Sequence, residues 1–323
     1  MNSNHARLKG VFFASITAFF WGFLAIALKV ASGMVDPLTI VWFRFLVAFT
    51  FLFIYFTIFK KQYLSILKKP PLYLIIASLG LGINYLAFLY GLKLTTPGTA
   101  QVIIQVGPIL LGVVGLVFFK EKISRRQAIG FMIAGLGLFI FYRENISKMV
   151  ENEELFNMGV IWIVVGAMAW VVYATFQKLL VKRYPPQQLN LFLFFLPVLL
   201  FFPFTKLTDF VGLSWQNWLL LIYLGLNTLI AYGSLAMAFK YIEANKVSMI
   251  VTLNPIITFV AMAALTYFEV SWIEPELLSI RGLLAALLVL SGAIMAVSFT
   301  KPAKKKNLNE LISNNFPKEK SDD

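Results

Sequence analysis

Uninterrupted apolar runs limit this chain more than any other feature. Between short polar stretches they recur at about 10–29, 38–59, 72–92, 98–119, 127–142, 159–181, 189–205, 216–237, 245–267 and 280–299. Each is about 16–23 residues long, and at 1.5 Å per residue that spans about 30 Å of hydrocarbon, the shortest runs needing local thinning. The runs are continuously apolar rather than alternating, which favours helices over barrel strands. With 59% of the 323 residues hydrophobic and 13% charged, a water-soluble globule has too little interior to hide them. The breakers Asp36-Pro37, Pro70-Pro71, Pro97-Gly98 and Pro185-Pro186 fall between the runs, where turns are needed. The first run exceeds a signal-peptide core and nine more follow, so it reads as a retained helix. The expected fold class is an all-α membrane protein with ten transmembrane helices.

The basic residues give the orientation. With the N-terminus cytoplasmic, 20 of the 28 Lys and Arg fall in inner segments, five in outer ones, and Lys29, Arg44 and Lys178 within spans. Omitting any one helix would scramble this bias, so both termini are expected in the cytoplasm. The net charge of +13 therefore reflects topology, with no nucleic-acid partner implied. Cysteine is absent and the single histidine, His5, lies in the polar N-terminus. Thiolate catalysis, Cys/His zinc sites, His-ligated haem and Ser-His-Asp triads are excluded. The expectation is a non-enzyme without metal or cofactor.

The two halves resemble each other. An offset of 149 aligns Gly10 with Gly159, Ala18 with Ala167, Trp21 with Trp170, Lys29 with Lys178 and Pro37 with Pro186. An offset of 147 aligns Tyr85 with Tyr232, Lys93 with Lys240 and Pro108 with Pro255, and one further residue pairs Glu121 with Glu269. Five helices per half is an odd number, so the second half enters the bilayer from the opposite side. Inverted repeats of this kind let a carrier expose a midplane site to either face alternately. The implied division is a cytoplasmic N-terminus (1–9), a first five-helix repeat (10–142), an outer linker (143–158), a second repeat (159–299) and a polar cytoplasmic tail (300–323).

Trp21-Gly22, Lys29, Pro37, Arg44-Phe45, Pro108, Glu121 and Gly130, then Trp170, Lys178, Pro255, Glu269 and Gly282, resemble the doubled EamA pattern of the drug/metabolite transporter superfamily. The likeness covers about residues 10 to 299. It implies a ten-helix inverted-repeat carrier of the bacterial plasma (inner) membrane, often an exporter of amino acids or related metabolites. It also implies a cavity lined mainly by helices 1, 3, 4, 6, 8 and 9. One departure is Leu193, which stands where the repeat would place a counterpart of Arg44.

Polar side chains inside spans are costly against lipid and are expected to face protein or water. Gln101 and Gln105 share one helix face, and Ser248 and Thr252 are their repeat equivalents. With Trp21, Asn84, Tyr85, Tyr90, Trp170, Tyr173, Asn227, Tyr232 and Asn254 they form the expected substrate-binding lining, uncharged and aromatic-walled. Interhelical bonding is the competing role for the amides and hydroxyls. Pro108 and Pro255 are expected to kink or hinge helices 4 and 9. Lys29 is expected to snorkel outward or meet a substrate carboxylate, and Arg44 to pair with carbonyls or snorkel rather than bind substrate. Glu121 and Glu269 are expected in helix-end salt bridges. No Asp or Glu lies near the middle of a span, which points to facilitation or exchange rather than a buried proton relay.

The expected function is transport of a small neutral or zwitterionic metabolite, amino-acid export foremost, by alternating access. Import or exchange of a sugar, nucleoside, carboxylate or drug is the alternative, and a lipid-modifying enzyme a distant one. Expected partners are the small-molecule substrate and the lipid bilayer, with a homodimer left open because helices 5 and 10 are rich in small residues. The cysteine-free chain makes the orientation directly testable. Thr208→Cys in intact cells is expected to react with an impermeant maleimide, and Ser65→Cys only after permeabilisation; the reverse pattern would invert the topology.

Overall fold

The computed structural model describes residues 3–118, 125–146, 153–242, 244–276 and 279–298. The helices are α1 (Ser3–Ser32), α2 (Pro37–Phe59), α3 (Leu72–Lys93), α4 in two segments (Pro97–Ile103 and Val106–Phe118) and α5 (Arg125–Ile146). Then come α6 (Glu153–Leu180), α7 (Pro186–Phe201), α8 (Trp215–Tyr241), α9 in two segments (Ala244–Val251 and Asn254–Tyr267) and α10 (Ile280–Ser298). No strand occurs among the described residues. Seven helical stretches there are long and apolar enough to cross a membrane, in α1 to α4 and α6 to α8; the second segment of α9 and most of α10 are shorter apolar helices.

Local chemistry sets the boundaries. Asp36 caps α2 by accepting from the Leu38 N–H, with Pro37 in the first turn; Thr96 and Ser214 cap α4 and α8 in the same way. Several helices outrun the apolar runs. The α1 helix begins at Ser3, and α6 begins at Glu153 with two acids in its first turn, where the helix dipole favours negative charge. Apolar length thus measures the buried stretch and underestimates the helix. Glu121, and with it the expected salt bridge to Lys122 or Arg125, lies outside the described residues.

Packing follows the repeat. The α2 and α7 helices lie against each other, as do α5 and α10, so each meets its own counterpart. The α1–α8 and α3–α6 contacts exchange with one another under the same correspondence. Close approach between α3 and α6 needs glycine. A Cβ on Gly91 would stand 2.6 Å from the Gly159 carbonyl oxygen, and one on Gly80 2.9 Å from that of Ala169. Between α5 and α10, a Cβ on Gly292 would reach 2.3 Å from the Ala134 nitrogen, so these helices use their small-residue faces within the chain.

Gly135 on α5 has open space around its Cβ position. Gly135→Ala is therefore expected to leave the unfolding temperature in detergent unchanged or raise it. Gly91→Ala forces α3 from α6 and is expected to cost about 1–3 kcal/mol. Equal melting of the two variants would contradict this account of the interface.

Candidate functional site

The breaks in α4 and α9 are proline chemistry. Pro108 has no N–H to offer the carbonyl of Ile104, and the first segment ends at Ile103. Pro255 stands four residues after Val251, where the first segment of α9 ends. The two discontinuities meet. Gln105 Nε2 donates to Asn254 Oδ1 at 3.1 Å and to the Gln101 carbonyl at 3.0 Å, and Gln101 Nε2 donates to the Trp21 carbonyl at 2.8 Å.

Around this junction lies a cavity with about 630 Å³ of empty space, open solvent at its mouth included. Trp21, Asn84, Tyr85, Gln101, Gln105, Pro108, Trp170, Tyr232 and Asn254 all line it, joined by apolar residues and by Arg44. Trp21 and its counterpart Trp170 meet edge to face at 6.2 Å, and Trp21 packs on Tyr232 at 5.3 Å. Among the described residues, neither indole N–H has a hydrogen-bond acceptor.

Other expected lining residues lie elsewhere. Tyr173 is fully buried beside the cavity, its ring 5.6 Å from that of Tyr232. Asn227 donates to the Phe20 carbonyl and joins α8 to α1. Thr252 donates back to the Ser248 carbonyl, and both are buried away from the lining. Tyr90 packs against Trp162 at 5.9 Å, remote from the cavity lining. Asn84 serves both roles, lining the cavity while its Nδ2 donates to the Gly166 carbonyl.

Two basic residues within the spans have partners in the protein. Lys29 does not line the cavity; its ammonium donates to the carbonyls of Leu92, Lys93 and Thr95 at the end of α3, where a cation suits the helix dipole. Arg44 does not reach outward or bond carbonyls. It is 2% exposed, its Nε donates to Thr228 Oγ1 at 3.2 Å, and its guanidinium lies 4.3 Å from the Tyr85 ring centre. Such a desolvated cation–π contact stabilises by about 2 kcal/mol. The sequence signal was available: an arginine seven residues into an apolar run, with no acid one helical turn away on either side.

Glu276, on the connection between α9 and α10, also escaped the sequence reading. It accepts from the Thr96 hydroxyl and, at 2.9 Å, from the Gly98 N–H, tying that connection to the start of α4. Among the described residues, no group of three His, Cys, Asp or Glu is placed to hold a metal.

Helices of membrane-spanning length packed round a buried, polar and aromatic cavity define a multi-pass membrane protein of the carrier type. Residues 8–143 and again 157–298 match the EamA-like transporter family, and the chain belongs to it. It is similar to a transporter of Haemophilus influenzae (33% identity over 93% of this chain and 98% of the relative). It is also similar to the inner membrane transporter YhbE of Escherichia coli (32% identity; 88% and 90%). Both relatives are described as uncharacterized. A solved crystal structure shares the fold at 18% identity and a TM-score of 0.66, covering 91% of this chain and 99% of that one.

Burial pushes the Glu276 carboxyl above the ordinary glutamate range; Thr96, the Gly98 and Thr99 backbone and Lys29 pull it part of the way back. A carboxyl whose pKa is raised on folding binds its proton more tightly in the native state, so stability falls as pH rises. The unfolding temperature of the wild type, relative to Glu276→Gln, is expected to decline above about pH 4.3 and level off once the raised value is passed. A difference that stays constant across this range would show that the carboxyl is not held as described.

Proposed function

We propose that this chain is a secondary carrier moving a small zwitterionic metabolite, amino acids foremost and in the direction of export, across the bacterial plasma membrane. Ten helices with both termini cytoplasmic form two inverted five-helix halves, and alternating access exchanges their conformations. The observation that carries this reading is the cavity at the junction of the halves. Trp21, Tyr85 and Pro108 line it from one half, and their counterparts Trp170, Tyr232 and Pro255 line it or open the break beside it from the other. Helices broken at the site provide a bending point in each half without exposing backbone to lipid. Among the described residues the lining contains no Asp or Glu, which supports facilitated movement or exchange over a proton relay inside the cavity. The EamA-like family and the inner-membrane relative support the membrane assignment.

Purified protein in liposomes preloaded with labelled amino acids is expected to release a subset of them, with no requirement for a pH gradient. Gln101→Ala/Gln105→Ala disconnects α4 from Trp21 and Asn254 and is expected to slow that release roughly tenfold or more while unfolding within a few degrees of the wild type. Retention of every amino acid by folded wild-type protein would reject amino acids as the cargo. Release that depends strictly on a pH gradient would reject facilitation.

A further inference from the structure

We propose that Arg44 is the residue through which the cavity selects its solute, binding a carboxylate with the free edge of its guanidinium. This rests on the carrier reading above and narrows it: a free carboxylate becomes the required part of the cargo, and neutral sugars, nucleosides and amines are excluded.

Arg44 is buried and, among the described residues, is the only charged one lining the cavity. Among the described residues no carboxylate lies within ion-pair distance of it. A buried cation is normally matched by an anion, because leaving water without one is costly. Here the Tyr85 ring face and the Thr228 hydroxyl compensate in part, and neither carries charge.

Hydrogen bonding points the same way. A guanidinium has five N–H donors in a planar fork that fits a carboxylate through two parallel bonds. In Arg44 the Nε–H is taken by Thr228, and among the described residues no acceptor bonds the terminal nitrogens. The indoles of Trp21 and Trp170 add two more unpartnered donors that cannot accept. Against this surplus the lining acceptors are few, Gln105 Oε1 being buried without a donor among the described residues. Many donors and few acceptors suit an anionic oxygen pair with a single ammonium beside it.

The repeat makes the site single. The counterpart of Arg44 is Leu193, a fully buried core residue. One cation serves one carboxylate, and a dicarboxylate or phosphate ester would leave charge unmatched. A purely structural arginine predicts none of this discrimination, because an interhelical bond to Thr228 is indifferent to what enters the cavity.

The test compares acids with their amides. Thermal unfolding of the full chain in detergent is followed with leucine against leucinamide, and 4-methylpentanoate against 4-methylpentanamide, beside leucine efflux from liposomes and its inhibition by each compound. Both acids are expected to raise the unfolding temperature and compete with leucine, and each amide to need at least tenfold higher concentration. Arg44→Gln is expected to remove the advantage of the acid. Arg44→Lys, keeping charge without the planar fork, is expected to retain only part of it. If Arg44→Gln does not fold, the wild-type comparison and Arg44→Lys decide. Equal action of acid and amide on the wild type, or full discrimination by a folded Arg44→Gln, overturns the role of Arg44 and leaves the carrier reading standing. No response to either acid, with no efflux of leucine or of any other labelled amino acid, overturns the role of Arg44 together with amino acids as the cargo.

Discussion

Hydrocarbon offers no hydrogen bonds, and everything in this chain is arranged around that fact. Each backbone group left unsatisfied in lipid costs several kcal/mol, so a helix can be interrupted only where protein or water supplies the missing partners. Both interruptions here, after Ile103 and after Val251, lie against other helices. The amides of Gln101, Gln105 and Asn254 stand at these breaks and bond one another or the α1 backbone. The place where the helices are weakest is thus also where polar side chains are tolerated, and a polar cavity follows from the same requirement.

The remaining buried polar groups divide between holding helices together and furnishing that cavity. Ser78 reaches the Leu193 carbonyl, Thr17 the Ala231 carbonyl and Asn190 the Tyr232 carbonyl, and each of these bonds joins two helices. Lys29 belongs with them, since it closes the end of α3 from α1. Such bonds average about 0.6 kcal/mol within membranes, so their value lies in fixing register more than in holding the fold together. Side-chain type alone does not separate the two classes, because an amide at the same depth can serve either.

That explains what the sequence could tell and where it stopped. Apolar length and proline position are local properties. The apolar helices and the prolines beside both breaks were legible for that reason, whereas polar residues such as Glu153 extend α6 beyond its apolar run and α7 ends at Phe201, short of the expected 205. The repeat aligns Trp21 with Trp170, and the two rings meet in the structure. Facing is a tertiary property, however. Ser248 and Thr252 are the equivalents of two cavity glutamines, yet a threonine hydroxyl is short enough to bond its own helix, and Thr252 does so. Tyr90 lies on a cavity helix but on another face of it. Arg44 was set aside because depth in a span suggests escape to the interface, whereas Tyr85 and Thr228 give it somewhere to stay.

The Arg44–Leu193 difference has a geometric consequence. A perfectly doubled cage would admit an occupant in two equivalent poses. Arg44 lines the cavity while Leu193 is packed in the core, so those poses are not equal here. A polar molecule inside acquires a heading, its charged end fixed relative to the bilayer normal before any part of the protein moves.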